Sequence, residues 1–337
     1  MSEERILLSH GAGGRKSSEL TRRIFLKYFK DPALLRLDDM ALLDMPAGRL
    51  SISTDTYTVD PIFFPGGDIG SLAVHGTVND VAMAGADPIA MSVGFIVEEG
   101  LPMSQLERIA SSMARAAREA GVRIVTADTK VVTKGAADRI FINTTGFGLV
   151  PEGIHISGHL AREGDAVLLS GTVGDHGIAI ASAREGIAFR TTVTSDSAPL
   201  NGLVRQLVDA LGGDVHVLRD PTRGGLATVL VEIASQSGVG IRIRESDIPV
   251  RDAVKGACEL LGYDPLYLAN EGKLVAMVAQ GASERALEIM RSHRYGSEAA
   301  IIGETVRDNP GKVVLKTAMG GRRLVDKLSG EMLPRIC

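Results

Sequence analysis

Five aspartates stand at the ends of apparent strands or helices: Asp38 and Asp39 in "LDDMALL", Asp55 in "STDTYT", Asp80 in "GTVNDVAMAG" and Asp128 in "VTADTKVVTKG". Asp80 is the most informative. It and Asn79 interrupt a helix otherwise built of Val, Ala, Gly and Met, where an unpaired buried carboxylate is costly. A cation would neutralise it. Several carboxylates without a His/Cys cluster suit Mg²⁺, which takes oxygen ligands and keeps waters and phosphate oxygens in its shell. Any one of these residues taken alone reads first as a cap or a turn. Together, beside a glycine loop, they point to a phosphate site.

That loop is "SHGAGGRKSS", in which Gly11, Gly13 and Gly14 open straight into a helix and aim backbone N–H groups at an anion. It is not a Walker A loop, and no complete G-x-G-x-x-G occurs in the chain. His10 within it reads as a local hydrogen-bonding residue. Lys130 and Lys134 follow Asp128 and supply point charges for phosphate. "RDPTRGG" brings Asp220 and Arg223 before a helix, and "NEGK" brings Asn270, Glu271 and Lys273 before a strand; both also read as plain turns. The two cysteines are Cys258, in an apolar helix where it reads as core, and Cys337, the last residue of the sequence. Cys337 is either a frayed end or a reactive group on a tether.

Elements to position these groups are legible. Leu20, Ile24 and Tyr28 share a helical face, Leu50, Ile52 and Thr54 alternate as in a strand, and an apolar helix runs from Ile69 to Gly85. Ser104 and Glu107 have capping-box spacing at the head of a helix that Gly121 stops. Strands "VRIVTAD" and "DRIFINTTGFGLV" follow, without a simple βαβ rhythm, so the class is α+β, a mixed α/β fold. With 337 residues, two domains are expected, divided near Pro151, with a tail from about 318 to 337 in which Gly320 and Gly321 could act as a hinge. The divisions are 1–150, 151–317 and 318–337.

Acids outnumber bases 41 to 37, aromatics are 4% and Trp is absent, which argues against nucleic acid as the main partner. No apolar run suits a membrane span and "MSEERILLSHGAGG" is not a signal peptide, so a cytoplasmic setting with reduced thiols is expected.

Taken in order, "SHGAGG", "STDTYTVDPIFFPGGDIG", "VNDVAMAGA", "ADTKVV", "FINTTGFG", "SGTVGDHG", "RDPTRGG", "ANEGKL" and the terminal "PRIC" resemble the HypE family of hydrogenase maturation factors. This is the carbamoyl dehydratase branch of a PurM-like group that includes aminoimidazole ribonucleotide synthetase, selenophosphate synthetase and thiamine-monophosphate kinase. The ending "PRIC" is the part specific to HypE. Ala12 and Ala127 stand where Ser or Gly is expected. The resemblance implies two domains, the N-terminal one pairing with a second copy into a homodimeric β-barrel, the C-terminal one carrying a flexible tail. It implies ATP and Mg²⁺, with Asp39, Asp55, Asp80 and Asp128 as metal and phosphate carboxylates. Asn143, Thr144, Thr145 and Gly146 would line the nucleotide site. It further implies that a HypF-like carbamoyltransferase loads Cys337, that the S-carboxamide is dehydrated to a thiocyanate, and that a HypC/HypD-like iron scaffold takes the cyanide. In this scheme Lys134 assists at the amide, Glu271 is a general base, and His10 or Arg223 positions phosphate. A non-catalytic thiol carrier and another small-molecule phosphotransferase of the same group are the alternatives.

Overall fold

A computed structural model describes residues 4–184, 191–328, 330 and 333–337. Helices α1 (Arg15–Leu20), α2 (Leu26–Tyr28) and α3 (Pro32–Leu35) precede β1 (Arg49–Tyr57), the short pair β2 (Phe63–Phe64) and β3 (Gly67–Asp68), then α4 (Ile69–Ala82), β4 (Asp87–Glu98), α5 (Met103–Ala120), β5 (Arg123–Val132) and β6 (Ile140–Val150). The second half holds β7 (Ala166–Leu169), α6 (Asp175–Ala183), α7 (Asn201–Leu211), β8 (Val215–Arg219), α8 (Gly225–Ser237), β9 (Gly240–Arg244), α9 (Asp252–Leu261), β10 (Val275–Val278), α10 (Ser283–Ser292), β11 (Ala300–Val306), β12 (Val313–Lys316) and β13 (Arg322–Val325).

The first half is an open four-stranded sheet, β1-β6-β4-β5. Alternation sorts its side chains: Ser51, Ser53, Asp55 and Tyr57 of β1 face α4, while Leu50, Ile52, Thr54 and Thr56 lie on the exposed outer face. Among the described residues of the chain no closed barrel forms. Helix α4 is buried on nearly every side, as its lack of a polar face requires. It lies against β1 so closely that a Cβ on Gly76 would collide with the Tyr57 hydroxyl. Asp68 caps its start, accepting from the N–H groups of Gly70 at 2.8 Å and Ser71 at 3.0 Å.

Two local readings change. A π turn over Thr21–Phe25 slips the N-terminal helical face by one residue, so Phe25 and Phe29 join Leu20 and Ile24 in the core and Tyr28 stays half-buried. Helix α5 starts at Met103 with Pro102 as its cap residue, so the Ser104/Glu107 capping box does not form. Proline at that position needs no N–H partner.

The second half is a seven-stranded sheet, β13-β12-β9-β11-β7-β10-β8, antiparallel except where β12 meets β9. Its central strands β7 and β10 are buried at every position, because apolar clusters cover both faces. Gly320 and Gly321 form the turn between β12 and β13, with Thr317 N–H donating to the Gly321 carbonyl at 2.9 Å. The segment read as a tail from 318 therefore opens with a strand of the sheet. Asn79, the polar partner of Asp80 in α4, joins the halves: its Nδ2 donates to the Ala198 carbonyl at 3.0 Å and its Oδ1 accepts from Leu200 N–H at 2.7 Å.

Candidate active site

The end of the chain is docked between the two sheets. Thr58 N–H donates to the main-chain oxygen of Cys337 at 2.9 Å and Asp60 N–H to the Arg335 carbonyl at 3.2 Å, so residues 335–337 run beside the exit of β1. His176, at the head of α6 and fully buried, meets the Ile336 carbonyl through Nε2 at 2.9 Å. A carbonyl only accepts, so Nε2 carries the proton and Nδ1 accepts from Ser195 Oγ at 2.8 Å. The Arg335 guanidinium donates to the Thr58 carbonyl at 2.8 Å and pairs with Asp138 at 2.5 Å. Arg184 reaches the Arg335 carbonyl at 3.0 Å. The Ile336 side chain is buried in the N-terminal core, with Leu333 and Cys337 packed beside it.

Cys337 lines a cavity of about 460 Å³ with Thr56, Thr58 and Arg223. Burial pushes its thiol far above the ordinary cysteine range; Glu271 and Asp55 push the same way, while Arg223 opposes them. Glu271 is itself buried, its Oε1 without a hydrogen-bond partner among the described residues. Desolvation first, then Asp220, Asp196, Asp55 and Asp80, raise its carboxyl well above the usual range. Its backbone N–H is fixed by Asp196 at 3.0 Å, and Asp196 pairs with Lys273 at 3.0 Å.

A second opening of about 380 Å³ adjoins through Arg223, lined by Ser53, Asp80 and Asp220. Ser53 Oγ donates to Asp80 at 2.7 Å. Asp80 and Asp220 lie close enough in this cleft for each carboxylate to feel the other's charge. Burial and the neighbouring Asp80 charge push Asp220 up to about 7; burial raises Asp80 too, against the Ser53 hydrogen bond. Asp220 remains partly open to the cleft, so a divalent cation entering it would relieve the repulsion between the two carboxylates.

Of the carboxylates singled out in the sequence, Asp55 and Asp80 meet on the α4 side of the first sheet. Asp128 lies on its outer face, exposed and paired with Lys130 at 2.7 Å. Asp39, like Asp38, is exposed in the segment between α3 and β1. A single chain does not unite the four, and no group of three or more metal-binding side chains occurs among the described residues. Asp128 and Lys130 instead border a groove of about 280 Å³ with His10, Gly11, Gly13 and Asp38. There His10 Nδ1 accepts from the Leu7 N–H at 2.9 Å, and Gly11 sits so near β5 that a Cβ would lie 2.6 Å from the Val131 nitrogen. Gly14 caps α1 without a side-chain bond.

Residues 143–146 alternate faces. Asn143, exposed, donates to the Asp55 carbonyl at 2.9 Å and Thr145, half-buried, to Thr54 at 3.0 Å, whereas Thr144 is buried under α4, donating to the Ala73 carbonyl at 3.2 Å. A Cβ on Gly146 would lie 2.7 Å from Thr77. Lys134 is exposed on the loop before β6 that also carries Asp138. Sequence reasoning passed over His176, Arg184 and Asp196 and took Asp220 as part of an anion site or a plain turn, not as a partner of Asp80. Asp220 is the one with a usable signal, an acid between Arg219 and Pro221 at a strand end.

Two family models, described as the N-terminal and C-terminal domains of AIR synthase related proteins, match residues 37–150 and 162–316. A carbamoyl dehydratase HypE from Cupriavidus necator is 57% identical over 334 residues, 99% of this chain and 95% of the relative. A crystal structure of hydrogenase maturation protein HypE in complex with ATP superposes with a TM-score of 0.94 at 55% identity, covering 98% of this chain and 99% of the other. A chain of a crystallised HypE–HypF complex gives 0.81 at 51% identity, over 94% of this chain and 100% of the other.

Proposed function

The chain belongs to the HypE carbamoyl dehydratase family, and from that premise we propose that it dehydrates a carbamoyl group carried on its own Cys337 at the expense of ATP. The balance is R–S–C(=O)–NH₂ + ATP → R–S–C≡N + ADP + phosphate. The amide oxygen, a poor leaving group, takes the γ-phosphoryl group and leaves as phosphate, while the nitrogen loses both protons. The product supplies the cyanide ligand of a NiFe hydrogenase iron centre. The observation that carries this reading is the docked thiol of Cys337, set in the field of Glu271, Asp55 and Arg223.

Each residue's part follows from its surroundings. Glu271 is placed to take an amide proton, because a carboxyl raised by burial and neighbouring acids is a stronger base once ionised. Arg223 lines both the thiol cavity and the cleft of the paired aspartates, where it positions phosphate. Lys134 assists charge movement at the amide, and His10 with Gly11, Gly13 and Gly14 contacts phosphate. Asp80 and Asp220 fit Mg²⁺, being hard oxygen donors whose mutual repulsion a divalent cation relieves; Asp55 stands on the same side of the sheet, and Asp39 and Asp128, apart from them in one chain, would join the acidic set from a second copy. Bound Mg²⁺ would neutralise phosphate charge.

Residues 1–150 are assigned to nucleotide binding and dimerisation, 151–317 to the second domain, and 318–337 to delivering the thiol. Leu50, Ile52 and Ile96 are 57%, 64% and 45% exposed on the outer face of the first sheet, an apolar surface that a second copy would cover to close a barrel. Asn143, Thr145, Asp128 and Lys130 share that face, so the nucleotide would lie near the dimer seam. Burial holds the docked thiol above its ordinary range, so loading by a HypF-like carbamoyltransferase is favoured when the tail leaves. Transfer to a HypC/HypD-like scaffold is favoured by the same release. Among the described residues no helix is long and apolar enough to cross a membrane; the proposal includes a cytoplasmic setting, which keeps the thiol reduced. Cys337→Ala should abolish dehydration while leaving ATP binding intact; retained activity would overturn the reading.

A further inference from the structure

A larger cleft of about 760 Å³ opens on the far side of α4, between α5 and the segment that follows residue 191. Ser104, Arg108, Ser111 and Arg115 line it at i, i+4, i+7 and i+11 along α5. Across from them stand Ser71 and His75, one turn apart on α4, and Ser197. The acids that reach this cleft are engaged. Asp68 caps α4 and accepts from Ser112, Glu107 pairs with Lys27, and Glu119 pairs with Arg294. Arg108 and Arg115 are exposed, and among the described residues neither has a carboxylate partner; Arg108 lies over the Phe63 ring at 3.9 Å.

His75 is the second observation. It is 7% exposed, its Nδ1 is 3.0 Å from Ser197 Oγ, and its Nε2 has no partner among the described residues. Burial pushes its imidazole down to about 4, so it stands neutral at physiological pH. In the tautomer whose Nδ1 accepts from Ser197, Nε2–H is left as a donor in need of an acceptor. We propose that this cleft is a binding site for a small phosphate-bearing ligand, its oxygens held by Arg108 and Arg115 and by the Nε2–H of His75.

The site has a route to the thiol through three consecutive residues. Ser197 holds His75; Asp196 fixes Lys273 and the Glu271 N–H; Ser195 orients His176, which holds the Ile336 carbonyl. Occupancy that shifts Ser197 therefore bears on tail docking. This second part rests on the reading of Cys337 as the docked reactive group.

The test uses inorganic phosphate on the full chain, with the nucleotide site filled by a non-hydrolysable ATP analogue and Cys258→Ala leaving Cys337 as the single thiol. Calorimetry should show phosphate binding that weakens about tenfold or more in an Arg108→Ala/Arg115→Ala variant, whose analogue binding is unchanged. Phosphate should also change the alkylation rate of Cys337 about fivefold in the parent and not in the double variant. No phosphate binding, or binding undiminished by the double substitution, overturns the site. Binding without a change in alkylation overturns the route to the tail. Dehydration is assayed separately: if it is absent while arginine-dependent binding persists, the reading of Cys337 fails and the cleft stands.

Discussion

Thr58 donates its backbone N–H to the main-chain oxygen of Cys337 at 2.9 Å, and its hydroxyl reaches the same oxygen at 3.3 Å across 279 positions of sequence. The last residue is thereby fixed to the exit of β1, the strand that carries Asp55. The tether and the carboxylates belong to one place.

Arg335 holds that arrangement by its contacts to Thr58 and Asp138. Its left-handed backbone, φ 50°, is a conformation that a non-glycine residue keeps only when held. Arg335→Ala should raise the alkylation rate of Cys337 about tenfold, as loss of one or two charge-assisted hydrogen bonds implies. Dehydration should fall by a similar factor while carbamoyl acceptance is retained. Timed alkylation read by mass spectrometry checks it; an unchanged rate would show that the tail docks without Arg335.

Asp220 sets a pH dependence. Its folded pKa is raised from 3.8 to about 7, so between those values the folded state holds a proton that the unfolded chain has lost. Stability of the metal-free protein should therefore fall as pH rises through that window. Asp220→Asn should remove the fall, raising Tm by roughly 2–4 °C at pH 8 and little at pH 4, and Mg²⁺ should stabilise the parent more than the variant. Melting curves across pH with and without Mg²⁺ decide it. Parallel curves for both proteins would mean that Asp80 and Asp220 ionise freely.

Glu271→Gln keeps the shape and removes the base. Glutamine matches its size and removes a charge whose burial is costly, so the variant should fold as well as the parent. The rate of dehydration should drop about 10²-fold or more with ATP affinity little changed. Single-turnover kinetics on carbamoylated protein would show this, and a variant as fast as the parent would remove Glu271 from the reaction.

On the outer sheet face, Ile52→Asp should convert a dimer to a monomer, since a charge at a buried apolar seam is costly. Light scattering after gel filtration measures the mass, and a parent that is already monomeric would exclude the shared barrel.

How much of this was legible beforehand depended on whether the signal was local. Asp80 was visible as a costly acid in an apolar helix. Its partner Asp220 was not, because they meet only when α4 packs against the turn after β8. Alternation marked β6 as a strand, yet the sorting of Asn143 and Thr145 from Thr144 and Gly146 needed the position of α4. Gly320 and Gly321 were read as a hinge, and the hairpin turn they form was missed because the short run Arg322–Val325 is too polar to show a strand period. His176 had no signal in the sequence, since the group it serves is a backbone carbonyl 160 residues away.

The most direct measurement is intact-protein mass spectrometry of chain carbamoylated at Cys337, then incubated with ATP and Mg²⁺. The account predicts the loss of one water, localised to the C-terminal peptide, dependent on ATP and absent from Glu271→Gln. A carbamoyl adduct that persists unchanged in the presence of ATP and Mg²⁺ would contradict it.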